Sequence, residues 1–290
     1  MRCIAVATLV ALAWAGAIGK GVPPPPQLGA AQIVAKNVEA RGGLEAWRKI
    51  QTMVWVGHME SMNAPQPSMP FVLQQKRPNK TRFELMTMNQ RSVRVFDGTH
   101  GWKMRPERGG SSDVQVFTPQ ELKFARDAQV IDGPLIDYAA KGNTVTLLGA
   151  EKIEGRNAYR VDVHLASGEH QTLWIDAATF LEVRLDRMSF SSSGMPGMAT
   201  VFYRNYQTVE GLQIPSMLEI GVGSGKKPDR MFIEKISLNE MLEDRTFDRP
   251  GMPRRRTARQ PGSAAALSAT GRPPAPRSSV PAKTQAESEE

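Results

Sequence analysis

The side chains best suited to chemistry in this sequence are four histidines, at positions His58, His100, His164 and His170. Two of them, His164 and His170, flank the turn Ser167-Gly168, with Asp162 and Glu169 nearby. A hairpin there would bring two imidazoles and a carboxylate together, which is the ligand set of some transition-metal sites. His164, however, alternates with the apolar residues of its strand and shares the outward-facing positions with charged residues. We therefore expect both histidines to be surface residues of a hairpin, and the alternative is a hydrolase that uses them.

A glycine-rich run and the single cysteine add no further chemistry. The run Gly221–Lys227 resembles a phosphate-binding loop, but that motif has a glycine five residues before its second glycine, and here Ile220 stands five residues before Gly225. The run is also followed by a predicted strand, whereas a phosphate-binding loop leads into a helix. Cys3 precedes an apolar run, where it cannot serve as a lipoprotein cysteine. The sequence contains no Gly-x-Ser-x-Gly motif. We therefore predict no catalytic residues, no metal and no cofactor.

Residues 1–17 have the pattern of a signal peptide. Arg2 supplies a positive charge, Ile4–Leu12 form an apolar run, and Ala13–Ala17 offer A-x-A cleavage sites. The alternative is a membrane anchor, but the run Ile4–Gly19 has 16 residues, and a spanning helix needs roughly 20. We expect cleavage and export to the periplasm.

Most of the net positive charge lies near the two ends of the chain. Residues 249–290 are rich in Pro, Ala, Ser and Arg and carry eight basic against three acidic side chains, so we predict a disordered tail. Residues 18–26 contain four consecutive prolines and should form an extended spacer. Residues 21–248 carry 27 basic and 26 acidic side chains, so the net charge of +8 does not indicate nucleic-acid binding. The cluster Arg254–Arg256 could contact an anionic membrane, although a solubilising tail is the simpler interpretation.

The folded region begins with helical spacing and then changes to alternation. Gln27–Arg41 has apolar residues three and four apart, and Gly42-Gly43 ends this predicted helix. From Thr52 onward the period is two, and Asp97-Gly98 marks a hairpin. Both patterns together predict a helix packed on an antiparallel sheet.

A helical interruption separates two groups of strands. Thr118-Pro119-Gln120-Glu121 is a capping box and predicts a helix. Gly133-Pro134 predicts a second short helix, which ends at Lys141-Gly142. The later group comprises seven predicted strands, Thr144–Ile153, Ala158–Leu165, Gln171–Asp176, Leu181–Phe190, Ala199–Thr208, Leu212–Val222 and Asp229–Leu238.

The fold class predicted from this order is α+β. About eleven strands should form a curved antiparallel sheet, an open and unclosed barrel whose concave face is covered by short helices. Periodicity leaves open whether that face is tightly plugged or encloses a cavity.

Several short motifs, taken in order, resemble the LolA/LolB-like superfamily of outer-membrane lipoprotein-sorting proteins. They are Arg41-Gly42-Gly43 with Trp47, Asp97-Gly98 with Trp102, Leu173–Asp176 leading into Leu181–Arg184, Phe202–Tyr206, Glu210–Pro215 and Ile233–Ile236. The similarity spans roughly Gln27–Pro250, and residues 27–248 are the predicted domain. The resemblance implies an open barrel that holds acyl chains under a helical lid, latched by an arginine for which Arg41, Arg77 and Arg82 are candidates.

The predicted site is a hydrophobic cavity. Its wall should be formed by strand residues Trp55, Phe83, Leu85, Val95, Tyr159, Val161, Val163, Leu173, Leu181 and Leu185. Its lid should be formed by Leu122, Leu135 and Ile136.

The function expected from this site is a monomeric periplasmic carrier. Its cargo would be a lipid or an acylated protein, handed to an acceptor partner or to a membrane in transient contact. The alternative is a lipid-sensing regulatory module with the same fold, which contacts a partner protein through Ser191–Met198 or the tail.

Overall fold

Thirteen strands and three helices form the described part of the chain in a computed structural model. The structure describes residues 28–62, 64, 66–106, 112–128, 131–190, 196–222 and 227–251. The predicted signal peptide, the spacer and nearly all of the predicted tail lie outside these ranges, as do residues 191–195 of the proposed partner loop.

The helices are α1 (Ala30–Ala40), α2 (Leu44–Lys49) and α3 (Pro119–Asp127), and a short 3-10 turn covers Asp244–Phe247. The strands are β1 (Thr52–Glu60), β2 (Ser68–Lys76), β3 (Lys80–Thr87), β4 (Gln90–Phe96), β5 (Gly101–Pro106), β6 (Ser112–Val116), β7 (Thr144–Ile153), β8 (Arg156–His164), β9 (His170–Asp176), β10 (Glu182–Phe190), β11 (Pro196–Val209), β12 (Leu212–Val222) and β13 (Asp229–Leu238).

All thirteen strands belong to one antiparallel sheet that does not close. Their order is β6-β5-β4-β3-β2-β1-β13-β12-β11-β10-β9-β8-β7. The edge strands β6 and β7 follow one another in sequence, so the chain between them passes from one edge of the sheet to the other. This confirms the predicted open α+β sheet, with thirteen strands instead of about eleven. The two strands not predicted are β2, where Pro70 and the pair Val72-Leu73 disturb the alternation, and β6, which has only five residues.

Between the two edges, the residues that the structure describes contain one helix instead of two. Helix α3 begins at the predicted capping box, because Thr118 Oγ1 accepts a hydrogen bond from Glu121 N and the Glu121 carboxylate accepts one from Thr118 N. Residues 131–142, the cover segment, form hydrogen-bonded turns. The predicted second helix is therefore wrong. Asp137 has a φ of +52°, which a right-handed helix does not allow.

The two faces of the sheet are covered by different parts of the chain. We call the face under α1 and the cover segment the inner face. There Ile33, Val34 and Leu135 pack on residues from β2 and from β8 to β13. The outer face of β1, β4 and β5 is covered by Leu242 and Phe247, which follow the last strand.

Gly57 allows a bulge at the centre of the sheet. The register between β1 and β13 shifts between Val56 and Gly57. A Cβ atom on Gly57 would lie 1.9 Å from the carbonyl oxygen of Phe232, so a side chain has no room there. Bulges bend a strand and increase its twist, and this one lies where the two halves of the sheet meet.

Candidate functional site

Most of the predicted wall residues lie together on the inner face. Directly opposite residues of antiparallel strands point to the same side of the sheet. The pairings Ile236–Trp55, Trp55–Leu73 and Leu73–Phe83 therefore form one apolar row across four strands. The inner cluster includes the predicted residues Trp55, Phe83, Leu85, Tyr159, Val161, Val163, Leu173, Leu185 and Leu135.

The inner face is covered unevenly. On β8 and β9, Val161 and Leu173 are at most 1% exposed, because α1 and Leu135 pack against this half. On β1, β2 and β3, a set of four apolar side chains is only partly buried. This set, which we call the apolar strip, is Trp55, Leu73, Phe83 and Leu85.

The β8–β9 half does not form a ready-made acyl cavity, which corrects the expectation that its wall residues line an open space. A cleft beside these strands has a volume of about 10 Å³, which is room for about one water molecule. It is lined by residues of α3 and strands β9 and β10, with part of the β8–β9 turn, among them Phe124, Leu165, Gln171 and Met188. An acyl chain can reach this half only if α1 or the cover segment moves.

Four predicted residues lie outside the inner cluster. Val95 packs with Leu242 and Phe247 on the outer face, so its assignment to the wall is wrong. Ile136 is buried in a neighbouring cluster beneath the cover segment, with Trp47 and Ile214. Leu181 and Leu122 are partly exposed, and neither belongs to a buried cluster of the described residues.

A buried polar group holds the cover segment at Asp132. Arg41 Nη1 donates hydrogen bonds to the backbone carbonyl of Asp132 at 3.0 Å and to Glu182 Oε1 at 3.1 Å. Arg77 Nη2 and Lys141 Nζ each lie 2.6 Å from the Asp132 carboxylate. Two of the three candidate arginines therefore contact the cover segment, while the third, Arg82, pairs with Glu84.

We call the contacts of Asp132 with Arg41, Arg77 and Lys141 the latch. Its surroundings favour neutral hydroxyls and disfavour excess positive charge. Burial raises the pKa of the Tyr206 hydroxyl well above its ordinary value, and the nearby Glu182 carboxylate adds to this. That hydroxyl donates to the Glu182 carbonyl at 3.0 Å. Burial lowers the pKa of Lys141, and Arg77 and Arg41 lower it further, although Asp132 opposes the shift. Sequence patterns did not indicate these contacts of Asp132 and Glu182, because their partners Arg77 and Arg41 come from distant segments of the chain.

A second polar group lies beside the apolar strip, under the first turn of α3. Lys103 Nζ lies 2.9 Å from Glu121 Oε2, and Arg94 Nη2 lies 3.3 Å from Glu121 Oε1. Burial of the Glu121 carboxyl opposes its ionisation, but the Thr118 amide, Lys103 and Arg94 together hold its pKa below the ordinary value. The Arg94 guanidinium lies 4.6 Å from the centre of the Phe117 ring.

The predicted histidine pair does form, but on the outer face. The rings of His164 and His170 stack with 4.4 Å between centroids, and His170 Nδ1 lies 2.9 Å from Asp162 Oδ2. Within the described ranges, no group of three or more His, Cys, Asp or Glu residues is arranged to hold a metal ion. Nor is any helix in these ranges long and apolar enough to cross a membrane.

The fold matches solved structures, although the sequence alone finds no match. No protein-family model and no curated protein matches this sequence. A LolA superfamily protein of Nitrosomonas europaea superposes with a TM-score of 0.50 at 14% identity, over 76% of this chain and 98% of its own. A DUF1329 family protein of Desulfovibrio piger superposes with a TM-score of 0.48 at 12% identity, over 76% and 97% of the two chains.

The open sheet with its covered inner face is therefore the fold seen in the LolA superfamily protein of Nitrosomonas europaea. This confirms the resemblance inferred from the order of the sequence motifs. Because the identity is low, the likeness establishes the fold and leaves the cargo to be argued from the residues of this chain.

Proposed function

We propose that this protein is a carrier that binds acyl chains of lipids or lipoproteins on the apolar strip. The observation that carries the proposal is the uneven cover of the inner face, where Trp55, Leu73, Phe83 and Leu85 stay partly exposed while the apolar residues of β8 and β9 are buried. Burying an acyl chain contributes about 0.8 kcal/mol per CH₂. A chain lying along this strip can therefore be held without any catalytic or metal chemistry.

Movement of the cover segment would extend the binding surface. This segment consists of turns instead of a helix, and its polar anchor is concentrated at Asp132. If the anchor opens, Leu135 leaves the inner cluster and exposes the wall of β8 and β9. The bound acyl chain would then replace the contacts that Leu135 makes in the closed form.

The location of the carrier follows from the N-terminal sequence. The signal-peptide pattern of residues 1–17 supports export, so the cargo would be carried through the periplasm toward the outer membrane. An acyl chain that crossed this space uncovered would be exposed to water, which is unfavourable, and binding on a covered inner face removes that exposure.

The test compares two single variants of the full mature chain. Phe83→Ala removes an aromatic ring from the apolar strip, whereas Met86→Ala removes an apolar side chain from the outer face of the same strand, where it is 36% exposed. We expect Phe83→Ala to weaken binding of a fluorescent fatty-acid analogue about tenfold or more, and Met86→Ala to leave it unchanged.

Lipid extracted from the native protein gives an independent measurement. Mass spectrometry of an organic extract should detect acyl-containing molecules in the unaltered protein and less of them in Phe83→Ala. Equal binding by both variants, together with a lipid-free extract, would contradict the carrier. A stable protein complex without transfer of lipid to acceptor membranes would indicate the sensor instead.

A further inference from the structure

The apolar row of the inner face continues into a row of basic residues. Phe83 pairs with Arg94, Arg94 pairs with Lys103, and Lys103 pairs with Gln115. These residues lie on one face because directly paired residues of antiparallel strands share a face. The face therefore changes from apolar at Phe83 in β3 to cationic at Arg94 in the neighbouring strand β4.

The cationic end carries more positive than negative charge. Arg94 and Lys103 share the Glu121 carboxylate, and Arg105 also acts on Arg94 electrostatically. Asp113 lies opposite Arg105 and offsets one charge. Three cations thus face two carboxylates, and Glu121 has only 5% of its side chain exposed.

Arg94 is the cation best placed to meet a ligand. Its side chain is 41% exposed even though its guanidinium stacks on Phe117 and contacts Glu121. These contacts hold the planar group in place while part of the side chain stays exposed, on the strand next to Phe83. A preorganised guanidinium with free N–H donors suits a carboxylate or a phosphate.

We infer that the apolar strip takes an anionic amphiphile, with its chain along Trp55, Leu73 and Phe83 and its carboxylate or phosphate head group on Arg94. This inference rests on the proposed function, because it names the ligand class of the same site. Glu121 and Phe117 are positioning residues, since they orient the guanidinium without touching the ligand. A fatty acid and an anionic phospholipid share this chemistry.

The test uses three probes with the same number of carbon atoms, which are hexadecanoate, hexadecyl phosphate and uncharged 1-hexadecanol. We expect the full mature protein to bind at least one anionic probe about tenfold more tightly than hexadecanol, which corresponds to one charge-assisted hydrogen bond. A preference for hexadecanoate indicates a fatty acid, and a preference for hexadecyl phosphate indicates a phospholipid.

Arg94→Gln should remove this preference and leave the affinity for hexadecanol unchanged. Arg94→Lys should keep part of it, because the charge remains while the fork of donors is lost. Arg91→Gln is the matched control, since Arg91 is exposed on the outer side of the same strand, 3.6 Å from Glu84, and should keep the full preference. Thermal unfolding checks that each variant folds.

The possible failures are distinguishable. Equal affinity of the unaltered protein for all three probes would overturn the anionic ligand while leaving the carrier in place. A loss of hexadecanol binding in Arg94→Gln would show that Arg94 supports the fold of the strip, which also contradicts the inference. If none of the probes binds, the proposed function itself falls, and this inference falls with it.

Discussion

Arg41 Nη1 lies 3.0 Å from the backbone carbonyl oxygen of Asp132 and joins the end of α1 to the start of the cover segment. The same nitrogen lies 3.1 Å from Glu182 Oε1 at the start of β10. One side chain therefore connects the first helix, the cover and the sheet. Because the acceptor on the cover is a backbone group, a substitution at Asp132 cannot remove this bond, whereas a substitution at Arg41 removes both.

Replacing Arg41 with Met should destabilise the closed form. The change leaves the buried Glu182 carboxylate without its cation, and we expect the free energy of unfolding to fall by about 3 kcal/mol. Urea unfolding followed by circular dichroism measures this. Glu182→Gln in the Arg41→Met background should recover part of the loss. Arg160→Met is the control, since that side chain is 45% exposed and its partner Glu151 is 46% exposed, so the change should alter stability little.

The Glu121 carboxylate should give the fold a pH-dependent contribution. Since its pKa is lower in the folded chain than its ordinary value of 4.5, it stabilises the fold above that pH. The contribution is lost as the pH falls from 4.5 through the folded value. Glu121→Gln should therefore be less stable than the unaltered protein at neutral pH, and the two should converge in acid. Urea unfolding of both proteins at a series of pH values measures this. A difference in their free energies of unfolding that stays the same at every pH would refute it.

Gly57→Ala should strain the centre of the sheet. The added Cβ would meet the carbonyl oxygen of Phe232 at 1.9 Å, and backbone atoms cannot turn aside as a flexible side chain can. We expect a loss of about 3 kcal/mol in the free energy of unfolding. The control is Gly197→Ala in β11, where the new Cβ would lie 3.6 Å from Val222 Cγ1. Similar stability of the two variants would contradict this role of Gly57.

Metal removal should have no effect on ligand binding. The histidine pair lies on the outer face, away from the apolar strip, and both His164 and His170 are exposed. Fatty-acid binding by the purified protein should be the same before and after dialysis against EDTA, and the same in His170→Ala. A drop in binding under either condition would revive a metal-dependent role for this hairpin.

The alternation of side chains predicted most strands, but it could not assign the faces of β4. Arg94 and Val95 necessarily point to opposite sides, and the apolar residue was assigned to the ligand wall. In the structure Val95 is covered by Leu242 and Phe247, while Arg94 shares the inner face with Phe83. The residues that cover Val95 lie about 150 positions away in sequence, and a local period of two carries no information about them.

The candidate site was predictable only where local rules decide the outcome. The capping box at Thr118 and Glu121 placed the start of α3 correctly, because it depends on four consecutive residues. The role of Glu121 as the partner of Arg94 and Lys103 could not be predicted, since those residues come from other strands. The latch at Asp132 was missed for the same reason.

Local patterns were enough to predict most of the strands and much of the apolar inner wall, since these depend on neighbouring residues and on the two-residue period of a strand. Local patterns do not show which part of that wall is buried and which part stays partly exposed, because burial depends on where α1 and residues 131–142 come to lie after the chain has crossed from β6 to β7. The same crossing brings Asp132 to Arg41 and Glu121 to Arg94. Contacts of this kind depend on the whole path of the chain, which no local pattern specifies.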